Sequence, residues 1–496
     1  MAVAAPGRRP PREPLGWAGA LGRGLALGLG LGWASACLPT PVFECRGDAD
    51  CAEVADDARC EAERFCSVPD ATCDSGRRFH EYAGDGLADA CTDLRCGDGV
   101  VDGDEVCDDG NERDGDGCNR DCRPSGQEIW TQGYASPGFV EDRAYALAID
   151  SAGNIAVIGH VTVQGEGANL WIRRFSSAGE IDWTWVKDGG AMLDEEGWSI
   201  LVDGNDDFVV AGYVHTPDED ADGWLGKIGK DGLLVWDEDV DGGVALVDQI
   251  RGIAFAPDGD IVALGYATPD LTTDTELWFQ RRSPDGATVR WTQLRAGLPD
   301  GKPDRGHGIF ALEDDFIGVG YRQDADDRQH YWLSRFDGDG NDVWSEAGDP
   351  AGPEGVWTAV RGLGNGDLVL VGWREAVAGD MDLWLQRRDP AGALLWEEIV
   401  ASPSGADDRG NVVTPAPDGG FVVGGEMGAG AGSTDAWLRR YTADNREAWT
   451  DTISGPAGQR DTIWGLGFGP DGNLVACGYI SSPATSWDIW VRKYTP

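Results

Sequence analysis

The chain has 496 residues, with 87 acidic against 40 basic side chains and a formal charge of −47. Affinity for a nucleic-acid backbone comes from Lys and Arg neutralising phosphate, so this charge excludes a nucleic-acid binder and leaves solubility, cation binding or a basic partner. Eleven of the twelve cysteines lie at or before Cys122 and only Cys477 follows, so the composition changes near residue 125 and the chain divides into regions instead of sharing one core.

Residues 1–36 place Arg8, Arg9 and Arg12 ahead of the apolar run Gly24-Leu-Ala-Leu-Gly-Leu-Gly-Leu-Gly-Trp and end in Ala34-Ser-Ala36, directly before Cys37. A basic start, an apolar middle and a small-residue end make an export signal, and the run is shorter than the ~20 residues a spanning helix needs. The Ala-Ser-Ala-Cys ending resembles a bacterial lipobox, with Ala34 where leucine is commonest. That resemblance implies a lipid on Cys37 and display at the outer membrane or cell surface, with membrane contact only through the anchor; the alternative is plain cleavage after Ala36.

Residues 37–124 form a cysteine-rich module. Beyond Cys37 it holds ten cysteines, Cys45, Cys51, Cys60, Cys66, Cys73, Cys91, Cys96, Cys107, Cys118 and Cys122, enough for five disulfides in an exported chain. The spacings do not fall into paired zinc knuckles, and His80 is the only histidine here. Residues 96–122, running from Cys96-Gly-Asp-Gly through Cys107-Asp-Asp-Gly-Asn to Cys118-Asn-Arg-Asp-Cys122, closely resemble the Myxococcus cysteine-rich repeat, which implies an extracellular stalk or adaptor without catalytic chemistry. Asp98, Asp102, Asp104, Asp108, Asp109, Asn111, Asp114 and Asp116 crowd this motif with oxygen ligands. Calcium favours such shells, yet the spacing is not that of an EF-hand loop, and Asp and Gly are also what tight turns select. Both readings stay open, and no cofactor other than Ca2+ is expected.

From residue 125 to 496 one tryptophan recurs seven times, at Trp171, Trp224, Trp278, Trp332, Trp384, Trp437 and Trp490, with spacings of 53, 54, 54, 52, 53 and 53. A second tryptophan follows by 12 or 13 positions (Trp183, Trp236, Trp291, Trp344, Trp396, Trp449), and the missing seventh copy sits upstream at Trp130. Each repeat reads as four strands: alternating apolar runs such as Phe208-Val-Val-Ala, turns such as Pro257-Asp-Gly, and a second strand carrying Gly159, Gly212, Gly265, Gly320, Gly372, Gly425 or Gly478. This period and strand content predict an all-β fold, a seven-bladed β-propeller of four-stranded blades whose ring is closed by the N-terminal strand at Trp130. The repeats resemble bacterial β-propeller repeats of surface proteins and, more loosely, the tryptophan-docking motif of quinoprotein propellers. In that motif a glycine precedes the tryptophan by four, as Gly179, Gly232, Gly340 and Gly392 do; the third repeat needs five, and the sixth has Asn445. These tryptophans are expected to pack between blades, and Cys477 to be an inert buried thiol.

Charge repeats as well. Arg174, Lys227, Arg281, Arg335, Arg387, Arg440 and Lys493 follow the first tryptophan by three, and Asn169, Asp222, Glu276, His330, Asp382, Asp435 and Asp488 precede it by two. Each first strand opens at Asp142, Glu195, Asp248, Asp304, Glu354, Asp408 or Asp461. A group present in every repeat reads as a structural ion pair or turn cap, because it cannot easily mark one asymmetric site. Three residues beyond each acid, by contrast, stand Tyr145, Trp198, Arg251, His307, Trp357, Asn411 and Trp464, which vary. Aromatic faces for stacking beside donors for orientation suit a sugar, a peptide or another polyhydroxylated ligand at a channel mouth; packing at an alternating strand position is the other reading.

No G-x-S-x-G elbow, H-E-x-x-H helix or phosphate loop is present. The sequence therefore leads to a monomeric, surface-anchored, non-catalytic binding or scaffold protein for an extracellular protein or glycan. A structural envelope protein is the alternative, and a quinoprotein-like enzyme, which typically has eight blades, is a more distant one.

Overall fold

A computed structural model describes residues 42–496 except 56, 62–63, 71, 74–76, 85–86, 93–95, 98, 100, 102–104, 139, 164, 166, 189–193, 216–220, 241–246, 270–274, 296–301, 378 and 431. The expected export signal at 1–36, Cys37, Asp98, Asp102 and Asp104 lie outside the described residues. The chain separates into two compact units, 1–93 and 94–496. The 96–122 motif thus belongs with the long repeated region, not with the cysteines before it, although composition groups it with them.

The first unit has little regular structure: one helical turn at Asp48–Cys51 and a three-stranded sheet of Arg59–Cys60, Cys66–Pro69 and Arg77–Phe79. Its apolar core amounts to Phe65, Phe79, Ala58 and buried cysteines. So small a core needs covalent help, which Cys45–Cys60, Cys51–Cys66 and Cys73–Cys91 supply. Arg77 is buried and donates from Nε to Ser67 Oγ at 2.8 Å and from Nη2 to the Ser67 carbonyl at 3.0 Å.

The second unit is all-β, built among the described residues of seven sheets in sequence order, antiparallel except where the short strand Val140–Glu141 pairs parallel with Ser486–Tyr494. Sheet 1 consists of Arg143–Ile149, Ile155–Val163, Gly167–Phe175 and Ile181–Lys187, each strand paired with the next. Sheets 2 to 7 repeat this order from first strands at Glu196–Val202, Gln249–Phe255, Arg305–Leu312, Gly355–Gly362, Arg409–Pro415 and Thr462–Phe468. Sheet 7 takes its fourth strand from Glu128–Tyr134, which pairs with Ser486–Tyr494 and sets Trp130 opposite Lys493. The segment holding Trp130 thus fills the place that the repeat pattern leaves vacant, and no sheet closes on itself.

First strands of successive sheets touch, and that of sheet 7 touches that of sheet 1. Second and third strands are covered on both faces by neighbouring sheets, so they read as continuous apolar runs such as Ile155–Ile158; fourth strands such as Glu128–Tyr134 are half exposed and alternate. The cores lie between sheets: Ile158 and Leu170 of sheet 1 pack with Ile200, Phe208 and Trp224 of sheet 2, and Val475 and Ile489 of sheet 7 pack with Val157 and Trp171 of sheet 1.

The second tryptophan of each repeat docks on the turn of the next sheet. A Cβ on Gly179, Gly232, Gly286, Gly340 or Gly392 would strike or crowd Trp130, Trp183, Trp236, Trp291 or Trp344, and one on Gly126 would lie 2.7 Å from Trp449. These glycines also have positive φ, and Asn445 in the sixth repeat adopts φ 62°. Two independent demands, a left-handed turn and a flat ring above it, therefore explain the motif. The recurrent cation bridges the same joints. Arg281 pairs with Asp260 at 3.0 Å and donates to the Gly338 carbonyl of sheet 4, and Arg335 pairs with Asp315 and donates to the Pro390 carbonyl of sheet 5. For Arg440 the acceptor is the Gly115 carbonyl at 3.2 Å, so the cysteine-rich motif stands where another sheet would present its turn.

Candidate functional site

All seven first strands carry a β-bulge at the same level. Pairing to the second strand skips Tyr145, Trp198, Arg251, His307, Thr358, Asn411 and Trp464. A bulge re-aims the unpaired side chain and kinks the strand. The kink presses the first-strand carbonyls of Arg143, Glu196, Gln249, Arg305, Val356, Arg409 and Thr462 to within 2.0 Å of where a Cβ would stand on the opposite second-strand residue, and that residue is glycine in every sheet. The glycine repeat is thus the sequence trace of the bulge, and the bulge is what turns seven side chains inward.

They meet at a cavity of about 380 Å³ lined by the first strands of all seven sheets. Six of the seven side chains expected there line it. Trp357 does not: it is fully buried between sheets 4 and 5, stacked on Trp384 at 3.7 Å, and Thr358 takes the cavity position. The register explains this correction. Glu354 is only partly buried and faces Arg328 at 3.5 Å, one residue earlier than the fully buried acids of the other sheets, so counting from the acid lands one position short. Counting back 14 from the second-strand glycine gives Thr358 from Gly372, and the bulge residue of every sheet except the fourth, where the interval is 13.

The aspartates that open five of the strands accept backbone N–H groups and so cap turns. Asp142 Oδ1 accepts from the Thr162 N–H at 2.9 Å, Asp248 Oδ1 from Thr268 at 2.9 Å and Asp408 Oδ1 from Gly428 at 2.6 Å. Burial raises the carboxyls of Asp142, Asp408 and Asp461, and these backbone donors partly offset it.

The cavity side chains engage one another. Tyr145 is 5% exposed and stacks on Trp198 with centroids 3.8 Å apart, while the Arg251 guanidinium lies 3.6 Å from the same indole centroid. Groups that close must sit on opposite faces, so neither face of Trp198 is free for a sugar ring. Trp464 stands edge-on to both, at 5.9 and 6.1 Å. Asn411 uses Nδ2 on Thr462 Oγ1 and the Ile463 carbonyl, and Thr358 Oγ1 donates to the Gly410 carbonyl at 2.6 Å. His307 is pushed down to about 3, by burial first and then by the cations of Arg251 and Arg305, so it is neutral at physiological pH. Arg361 and Arg460, which spacing did not single out, also line the cavity. Arg460 is held by Glu426 through Nε at 2.6 Å and Nη2 at 2.8 Å.

In the 96–122 motif the carboxylates face the backbone. Asp108 accepts the N–H groups of Gly97, Gly99 and Gly110 at 2.7 to 2.8 Å, Asp109 that of Cys118 at 2.9 Å, and Asp114 that of Arg120 at 2.9 Å. Asn111 Oδ1 accepts from Arg113, and Asn111 Nδ2 donates to Asp109 at 3.0 Å and reaches Asp116 at 3.4 Å. Burial and the neighbouring Asp109 raise the Asp116 carboxyl. Among the described residues no three of these carboxylates converge; the one convergent group is Cys45, Cys51 and Cys60, whose sulfurs are in disulfides. Eight of the ten cysteines expected in disulfides form them, with Cys107–Cys118 the bridge of the motif. Cys96 and Cys122 are not bonded, which corrects that expectation, although the Cys122 thiol borders Cys96 and Glu105 and burial raises it. Cys477 is fully buried and its thiol is raised, as an inert core thiol should be.

No family model matches the chain, and no curated protein does. Solved structures give faint likenesses. A protein of unknown function from Dyadobacter fermentans aligns over 75% of this chain and all of its own at 13% identity and a TM-score of 0.41. Puromycin hydrolase aligns over 74% of this chain and 54% of its own at 14% identity and 0.42; a mutant of it complexed with PGG aligns over 72% and 53% at 14% and 0.45.

Proposed function

We propose that residues 125–496 are a seven-bladed β-propeller that recognises an extracellular ligand at its central cavity, without catalysis, on a chain exported and lipid-anchored through Cys37. The cyclic touching of first strands and the contribution of Glu128–Tyr134 to sheet 7 support the propeller. The observation that carries the binding function is the bulge: one framework repeated in all seven sheets delivers a different side chain from each into one cavity. A purely structural repeat has no use for such variety at a single level. The resemblance of 96–122 to the Myxococcus repeat supports surface display.

The experiment is a binding screen of the folded chain against glycans and envelope extracts, with calcium and with chelator. Saturable binding lost in a Trp464→Ala, Asn411→Ala double variant that keeps the parental melting temperature is expected. A folded protein showing only bulk, unsaturable association would sink the recognition reading in favour of an envelope structural role. Independently, a lipid label on the wild type that persists in Cys37→Ser would overturn the anchor.

A further inference from the structure

Three arginines, Arg251, Arg361 and Arg460, line the cavity, and among the described residues no carboxylate does. This is an unexpected wall for a chain carrying 87 acidic residues. Among the described residues only Arg460 of the three is in a direct ion pair, the bidentate contact to Glu426. Arg361 bonds the Val360 carbonyl at 2.8 Å, and burial alone lowers it, with no anion opposing. Arg251 lies over the Trp198 ring, and Tyr266 Oη accepts from it at 3.4 Å; burial lowers it, but Tyr266 and then Glu196, which stands outside the lining, raise it on balance. A guanidinium stacked by its face offers its edge, the side that grips a carboxylate with two parallel hydrogen bonds. Among the described residues neither Arg251 nor Arg361 makes a direct ion pair, and Arg361, which burial lowers with nothing opposing, is the costlier of the two unless a ligand supplies an anion.

We infer that the cavity takes an acidic sugar, a hexuronate unit whose carboxylate is bound by Arg251 and Arg361 and whose hydroxyls meet polar groups such as Asn411 Oδ1. The volume of about 380 Å³ suits one or two sugar rings and no folded chain. The inference rests on the cavity being the recognition site and names what it recognises. It also explains why the aromatic groups stack on one another: Tyr145 and Trp198 hold Arg251 in place, so that here the flat rings position a cation instead of offering a sugar platform.

The test is calorimetric titration of the full chain at low ionic strength with sodium glucuronate, galacturonate and mannuronate, beside glucose, galactose and sodium phosphate. At least one hexuronate should bind saturably, at least tenfold tighter than its neutral counterpart, and weaken as salt rises. Arg251→Gln and Arg361→Gln should each cost about tenfold and together about a hundredfold, while Arg361→Lys should lose less; Arg361→Met serves if the glutamine variant does not fold. Binding untouched in the folded double variant, or neutral sugars bound as tightly as acidic ones, overturns the anion site while leaving the cavity a recognition site. Phosphate bound more tightly than every hexuronate overturns the sugar assignment. No binding of any hexuronate overturns the inference, and a negative glycan and extract screen as well would take the recognition reading with it.

Discussion

The two units of this chain solve the same problem in opposite ways. Residues before 94 enclose too little apolar surface and are held by three disulfides. Residues from 94 onward contain one disulfide, and their seven sheets are held by repetition: the same tryptophan, the same turn and the same partly buried cation at joint after joint. A stapled module depends on each bridge, whereas a repeated one spreads its stability over many nearest-neighbour contacts. The difference is open to direct attack.

Reduction should have the largest effect. Cys45–Cys60 and Cys51–Cys66 each close a separation of 15 residues, and opening such a loop costs about 3 kcal/mol. With three bridges gone the first unit should unfold, so protease cleavage in reductant should concentrate before residue 94 while the main thermal transition stays in place. Loss of both transitions together would mean that the larger unit depends on the smaller.

The joint between the 96–122 motif and the sheets tests the boundary itself. Arg440 is 2% exposed, pairs with Asp418 at 2.7 Å and donates to the Gly115 carbonyl. Arg440→Met should cost about 3 kcal/mol in the larger unit and speed amide exchange around Cys107–Cys118. Arg446, exposed like its partner Asp444, is the control: Arg446→Ala should leave the melting temperature unchanged. Equal effects would show that burial does not distinguish these pairs.

Gly126 carries the smaller version of the same test. Alanine there must adopt φ near 69° and bring a Cβ within 2.7 Å of the Trp449 ring. The left-handed backbone alone costs about 1–2 kcal/mol, so Gly126→Ala should lower the unfolding free energy by that amount or slightly more, and Gly458→Ala, with positive φ but nothing nearby, by less, as read from denaturant unfolding curves. If the two variants were equal, ring docking would add nothing to the turn.

Repetition also decided what could be read from sequence. Strand content, the sevenfold period and the upstream fourth strand were legible because each is written many times, so a slip in one copy is corrected by the others. The bulge position was legible in six copies and missed in one, because Glu354 had shifted by a residue while Gly372 had not. Arg361 and Arg460 were invisible for the complementary reason: each occurs once, outside any repeated column, and only the fold brings them beside Arg251. The sequence also could not show that Tyr145 and Arg251 cover the two faces of Trp198, since mutual stacking depends on side-chain placement. Nor does composition separate residues 96–122 from the cysteines before them, because the contact that ties them to the sheets is the Gly115 backbone.

The smallest expected effect concerns a position that is acidic in five of the seven repeats. Asp382 is 5% exposed, and burial first, then Asp380, Asp408 and Asp407, raise its carboxyl from the usual 3.8 to about 6. Because the folded value lies above the unfolded one, the native state binds this proton more tightly, and stability should rise as pH falls from 6 towards 4. Asparagine mimics the protonated group at every pH. Asp382→Asn should therefore be more stable than the parent by about 1–2 kcal/mol at pH 7, and the two unfolding curves should converge by about pH 4. A gain that persists unchanged at pH 4 would assign the effect to packing or hydrogen bonding instead of ionisation. In that case the larger unit would carry no electrostatic penalty at this joint, and the contrast with the stapled unit would rest on its tryptophans and buried cations alone.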